Sequence, residues 1–122
     1  MVKPTRIRSG AEVLDDHLRE SQTGSIEDDL ARNYAEDVVI LTGRGVYRGH
    51  DGLRELAKRL GEELPNAAFK YHTRLFEGEL GFLEWAARAE DAEVEDGADS
   101  YLIRGGRIVA QTIHYTVKSL RK

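Results

Sequence analysis

The chain has no cysteine, so disulfides, thiolate nucleophiles and cysteine-ligated zinc are excluded at the outset. Long hydrophobic runs are missing too. The longest purely aliphatic stretch, "VVIL" at Val38 to Leu41, is far short of the roughly 20 apolar residues that span a bilayer. The polar N-terminus lacks the apolar segment of a signal peptide, and the expected setting is the cytoplasm. Lysine and arginine form no stripe interleaved with aromatics. They gather only at the ends (Lys3, Arg6, Arg8 and Lys118, Arg121, Lys122), so neither nucleic acid nor a membrane surface is expected as a partner. His17, His50, His72 and His114 have no ligand spacing, and Glu27, Asp28 and Asp29 point in different directions around a helix. No metal site and no cofactor is therefore implied. A serine elbow is absent, and "GRGVYRG" follows no parallel-strand pattern that would make it a phosphate loop.

What remains is a chain of 122 residues, 33% charged and 40% hydrophobic, with a net charge of −4, as expected for one folded domain over residues 1–122. From Gly10 to Gln22, Val13, Leu14 and Leu18 recur at helical spacing, and His17 falls on the same stripe. Ser25 can cap a second helix, "SIEDDLARNY", whose acidic first turn suits the positive helix end; Ile26, Leu30 and Tyr34 face inward. A short strand "DVVILT" and a glycine-rich turn "GRGVYRG" lead to a third helix from about Asp51, carrying Leu53, Leu56 and Leu60 and stopped at Gly61. After Pro65 the pattern changes to alternation, in "AFKYHTRLFE", "LGFLEWAARAE" and a final hairpin. Helices followed by an antiparallel meander define an α+β fold with the helices on one face of a sheet.

Alternation also assigns the faces. Leu83, Trp85, Ala87 and Ala89 point to the helices, as do Phe69, Tyr71, Thr73 and Leu75, while His72 lies on the surface. For the hairpin around "IRGGRI", a two-residue Gly105-Gly106 loop would set Arg104 against Arg107. A three-residue loop pairs Ile103 with Arg107, Tyr101 with Val109 and Asp99 with Gln111, and is preferred because it avoids opposing like charges. In that register Tyr101, Val109, Ile113, Tyr115 and Val117 share the inner face with Asp99. Leu102, Ile108, Ala110, Thr112 and His114 form an outer face suited to packing against a second copy. One carboxylate on an apolar face is costly unless it is partnered, so Asp99 is either bonded structurally, to Gln111 or backbone amides, or placed for chemistry.

The order of these pieces resembles the nuclear transport factor 2-like superfamily, which includes ketosteroid isomerases and SnoaL-like polyketide cyclases. "GSIEDDLARNYAEDVVIL", "YRGHDGLREL" and "IRGGRIVAQTIHYTV" carry the resemblance, which covers nearly the whole chain. It implies a cone-shaped, strongly curved antiparallel or mixed sheet wrapped around three helices, a cystatin-like α+β roll with a hydrophobic pocket, and a homodimer through the outer sheet face. By resemblance, His17 stands where the isomerases have a first-helix tyrosine, seven residues before a glycine (here Gly24). Tyr34 matches a supporting aromatic and Tyr115 a pocket aromatic. Asp99 matches a hydrogen-bonding aspartate if one hairpin residue is dropped. The isomerases' base position is Thr42, which cannot abstract a carbon-bound proton at neutral pH, so steroid isomerisation is not expected.

The expected site is thus His17 and Asp99 acting on a small apolar molecule with a carbonyl or hydroxyl group. Tyr34, Tyr101, Tyr115 and Gln111 would be its polar handles, with Trp85 and Ile113 as apolar wall. Histidine can take or give a proton near neutrality and an adjacent aspartate can fix its tautomer; alternatively, a desolvated aspartate can keep its proton and donate it. The bland counterparts are a core His17 bonded to Tyr34 or a backbone carbonyl, and a non-catalytic ligand-binding or dimerisation module.

Overall fold

The computed structural model describes residues 6–121. Helix α1 (Gly10–Thr23) begins with a capping box in which Ser9 Oγ accepts from the Glu12 amide and Glu12 returns an acceptor to Ser9 N. Helix α2 (Ile26–Asn33) is capped by Ser25, as its sequence requires. It runs directly into strand β1 (Tyr34–Thr42). Val13, Leu14, Leu18 and Leu30 are buried in the core, whereas Ile26 keeps part of its surface exposed.

The rest of the chain is strand β2 (Gly45–Arg48), helix α3 (Gly49–Glu63), and strands β3 (Ala68–Glu77), β4 (Leu80–Arg88), β5 (Ala92–Arg104), β6 (Arg107–His114) and β7 (Lys118–Ser119). The strands form one mixed sheet in the order β2-β1-β6-β5-β4-β3, with β7 on the end of β5. All pairs are antiparallel except β1 with β6, which closes the first strand onto the last hairpin. This is the expected α+β cone, with the sheet curving around the helices. No helix of the described residues is long and apolar enough to cross a membrane.

Several expectations are corrected by backbone detail. "GRGVYRG" is not all turn: Gly43 and Arg44 turn the chain, and Gly45–Arg48 pairs with β1 as a strand. Helix α3 begins at Gly49 and runs through Gly61 to Glu63, because the helical ladder continues until Leu64 donates to Leu60 O and Pro65 intervenes. In β3 a bulge between Tyr71 and Thr73 reverses the faces beyond it. Leu75 is therefore 62% exposed, and Phe76 packs against the core in its place.

The hairpin correction matters most for the site. Gly105 and Gly106 both have positive φ (57° and 77°), the backbone of a two-residue primed turn, and Arg104 does pair with Arg107. The like charges never meet, because Arg104 turns to Glu79 and Arg107 donates to the Ala31 carbonyl. A bulge then lets Ile103 oppose Ile108 and Leu102 oppose Ala110, leaving Val109 as the extra residue. Ile108 consequently enters the core and does not belong to the outer face. Tyr101 faces Gln111 and Asp99 faces Ile113, so Asp99 and Gln111 are diagonal neighbours and not an opposed pair.

Candidate active site

The helices do not fill the cone. A cavity of about 410 Å³ remains between α1, α2, α3 and the concave face of the sheet. Its wall is apolar, with Leu53, Leu56 and Leu60 of α3 facing Phe69, Trp85 and Ile113 of the sheet. His17, Asp29, Tyr34, Asp99, Tyr101 and Gln111 make its polar floor. Thr42 and Arg44 stand at one side, where the β1–β2 turn meets the cavity.

His17 is held on three sides. Its Nδ1 lies 2.8 Å from Asp29 Oδ2, and its ring meets the edges or faces of Tyr34 and Tyr101, each with centroids 5.5 Å away. The expected direct partner, Asp99, is not the one that orients it. Asp29 Oδ2 is placed to accept the Nδ1 hydrogen, the tautomer in which a neutral ring presents its Nε2 lone pair; Nε2 has no hydrogen bond among the described residues. Asp29 is itself fixed from behind. The Asn33 amide donates to Asp29 Oδ1 and to Asp16 Oδ2, both at 2.9 Å, and Asn33 is fully buried. Asp16 also accepts from Arg19 and Arg32 at 3.0 and 2.6 Å. Burial pushes the Asp16 carboxyl up, but Asn33 and these arginines outweigh it and leave the group below its ordinary range.

Asp99 gathers three donors: Trp85 Nε1 at 3.0 Å on Oδ1, and the Tyr101 hydroxyl and Gln111 Nε2, each at 3.2 Å, on Oδ2. Burial nevertheless raises its pKa, against the pull of Trp85, the charge of His17, Tyr101 and Gln111. Asp99 is therefore bonded structurally, to Gln111 as expected and also to Trp85 and Tyr101, and it borders the cavity. Tyr34 donates to Gln111 Oε1 at 2.5 Å, completing a chain from Tyr34 through Gln111 to Asp99. Burial, then the nearby carboxylates, push the Tyr34 and Tyr101 hydroxyls well above their ordinary range, so both keep their protons.

Tyr115 stands apart from this floor, donating to Glu63 at 2.6 Å while Arg44 lies over its ring and clamps the same carboxylate with two bonds. Burial and Glu63 push the Tyr115 hydroxyl up to about 12. Ile113 and Trp85 line the wall, with Trp85 between Phe69 and Tyr115 at 5.5 and 5.6 Å. His114 is largely exposed and approaches Asp96 at 3.4 Å, and His72 is exposed. Asp29 is the residue that sequence reasoning missed. Its signal was the helical stripe Ile26, Asp29, Leu30, Asn33, which puts two polar residues on the buried face of α2.

The curved sheet and the three helices thus enclose an apolar cavity with a polar floor. The SnoaL-like domain model matches residues 14–111, and the chain belongs to that family; its fold is that of nuclear transport factor 2-like proteins. No curated relative matches it by sequence. Among solved structures it is similar to a nuclear transport factor 2-like protein of unknown function from Cytophaga hutchinsonii, with TM-score 0.72 and 12% identity over 93% of this chain and 95% of that one. It is also similar to IdmH from Streptomyces antibioticus, a proposed polyketide cyclase, with TM-score 0.74 and 16% identity over 88% and 92% of the two chains. A proposed ketosteroid isomerase from Kribbella flavida gives TM-score 0.73 and 14% identity over 88% and 77%. At these identities the likeness is one of fold.

Proposed function

We propose that the cavity binds a small, largely apolar molecule bearing a carbonyl or hydroxyl group, and that His17 Nε2 exchanges a proton with it. The observation that carries this reading is the commitment of Nδ1 to Asp29, which leaves the other ring nitrogen for the cavity. Asp29 is then a positioning residue that fixes the tautomer and stabilises the imidazolium formed when Nε2 accepts a proton. Asp99 holds the reacting group opposite. Steroid isomerase chemistry is not part of the proposal: Thr42 spends its hydroxyl on the β1–β2 turn, donating to Gly45 O and accepting from Arg44 N.

The test is NMR with 2-tetralol, a compact bicyclic alcohol that suits a cavity of this size. Saturating 2-tetralol is expected to shift the His17 Nε2 and Trp85 indole resonances while the exposed His72 stays unmoved. If His17 and Trp85 are as indifferent as His72, the cavity is not a binding site for such molecules and the reading fails.

A second copy is proposed to pack on the outer sheet face, where Leu75 opposes Phe82 and Leu80 opposes Leu102 across neighbouring strands, all but Leu102 substantially exposed. Sedimentation equilibrium should report a dimer that Phe82→Arg converts to monomer. A monomeric wild type at high concentration refutes this.

A further inference from the structure

The direction of the hydrogen bonds around the cavity sets what kind of polar head it can receive. Most of the donors can be traced to an acceptor. Trp85 Nε1 and the Tyr101 hydroxyl donate to Asp99. The Tyr34 hydroxyl donates to Gln111 Oε1. Ser21 donates to the His17 carbonyl, Thr42 to the Gly45 carbonyl and Tyr115 to Glu63. Arg44, the cation bordering the cavity, is occupied by the same Glu63. Tyr71, on the wall, is the exception, since its hydroxyl has no acceptor among the described residues.

The Gln111 amide cannot be turned to change this. Reversing it would point Oε1 at the Asp99 carboxylate and Nε2 at the Tyr34 hydroxyl, setting two acceptors against each other in a buried place. Its second amide hydrogen is the one floor donor without an acceptor among the described residues. Acceptors, by contrast, are plentiful: the remaining lone pairs of Asp99, the Nε2 lone pair of His17, and the oxygens of Tyr34 and Tyr101. An incoming carbonyl finds one N–H on the floor and the Tyr71 hydroxyl on the wall among many lone pairs, whereas an incoming hydroxyl or ammonium finds acceptors on several sides.

We infer that the cavity selects a ligand whose polar head donates hydrogen bonds, a hydroxyl or a protonated amine on a compact apolar body, over one whose head only accepts. This rests on the binding reading above and narrows it. It makes the reaction one that begins by taking a proton from a heteroatom: His17 Nε2 accepts the hydrogen, the O–H or N–H bond breaks, its electron pair stays on the oxygen or nitrogen, and the positive ring is balanced by Asp29. Trp85, Phe69 and Tyr115 offer ring faces to the apolar body and, for an amine, to its charge.

The experiment compares three probes with the same bicyclic body: 2-tetralol, 2-aminotetralin and 2-tetralone, with affinities measured by calorimetry and by the fluorescence of Trp85, the chain's single tryptophan. The alcohol or the amine is expected to bind at least about tenfold more tightly than the ketone, because the ketone leaves buried acceptors without a donor. An alcohol in the lead assigns a neutral donor; an amine in the lead assigns charge recognition; both support the inference. A ketone that binds as tightly as either means that the floor supplies a donor, as a protonated Asp99 would, and overturns the inference while leaving the binding reading intact. If none of the three binds, both fall together. In Asp99→Asn, which brings its own N–H, the preference should shrink toward unity; a folded variant with the wild-type preference removes Asp99 from the selection.

Discussion

Replacing Gly97 by alanine is expected to cost about 3 kcal/mol of stability, a large effect for a single added methyl. A Cβ built on Gly97 would lie 2.3 Å from both Cδ2 and Cε2 of the Trp85 ring, which stands opposite it on β4. The ring cannot simply step aside, since Phe69 and Tyr115 flank it and its indole N–H is bonded to Asp99. The strand must shift or the indole must leave its place, and leaving strips Asp99 of one of its three donors. Urea denaturation followed by circular dichroism measures the loss, and Trp85 fluorescence reports the displaced ring. Gly61→Ala is the matched contrast. That glycine lies inside α3 with nothing within 4 Å of its would-be Cβ, so alanine should stabilise the protein by up to about 1 kcal/mol. Equal effects at the two sites would refute the steric account.

The second large effect is a dependence on pH that belongs to Asp99 alone. Its folded-state pKa lies above the ordinary aspartate value of 3.8 because burial penalises the charge. The folded state therefore binds this proton more tightly than the unfolded chain. The resulting stability is fully present below pH 3.8 and is lost as the pH rises through the folded-state pKa, at a slope approaching 1.4 kcal/mol per unit. Carboxylates held by arginine, such as Asp16 and Glu63, act in the opposite sense and destabilise the protein in acid. Comparing wild type with Asp99→Asn cancels those terms. The expected result of urea titrations from acid to neutral pH is that the stability of wild type relative to Asp99→Asn falls as the pH rises, then levels off. A relative stability that rises with pH would mean that the three donors outweigh burial.

Much of this arrangement was legible in the sequence. The stripe of Val13, Leu14, His17 and Leu18 placed a histidine on the buried face of α1, and alternation in β4 placed Trp85 inward. Both signals are local, depending only on the period of the element. The errors lie where periodicity is interrupted. Bulges after Tyr71 and at Val109 each add a residue that no local pattern announces, and each reverses the strand beyond it; hence the misplacement of Leu75 and Ile108. The rejected Arg104–Arg107 pairing shows a second limit. Opposed like charges disfavour a register only when the side chains stay opposed, and long arginines can reach Glu79 or a helix-end carbonyl instead. His17 took Asp29 as its partner for a third reason: the choice depended on how α1 packs against α2, which neither sequence states by itself.

That packing has a consequence for how the two helices find their places. An all-apolar contact between α1 and α2 could slide by one turn at modest cost, since one leucine replaces another. Here a slip would carry Asp16 and His17 away from Asn33 and Asp29 and strand desolvated charges opposite aliphatic side chains, a loss of several kcal/mol. The cluster acts as a key with few teeth. It admits one alignment of the helices, and that same alignment turns the imidazole toward the hollow of the cone.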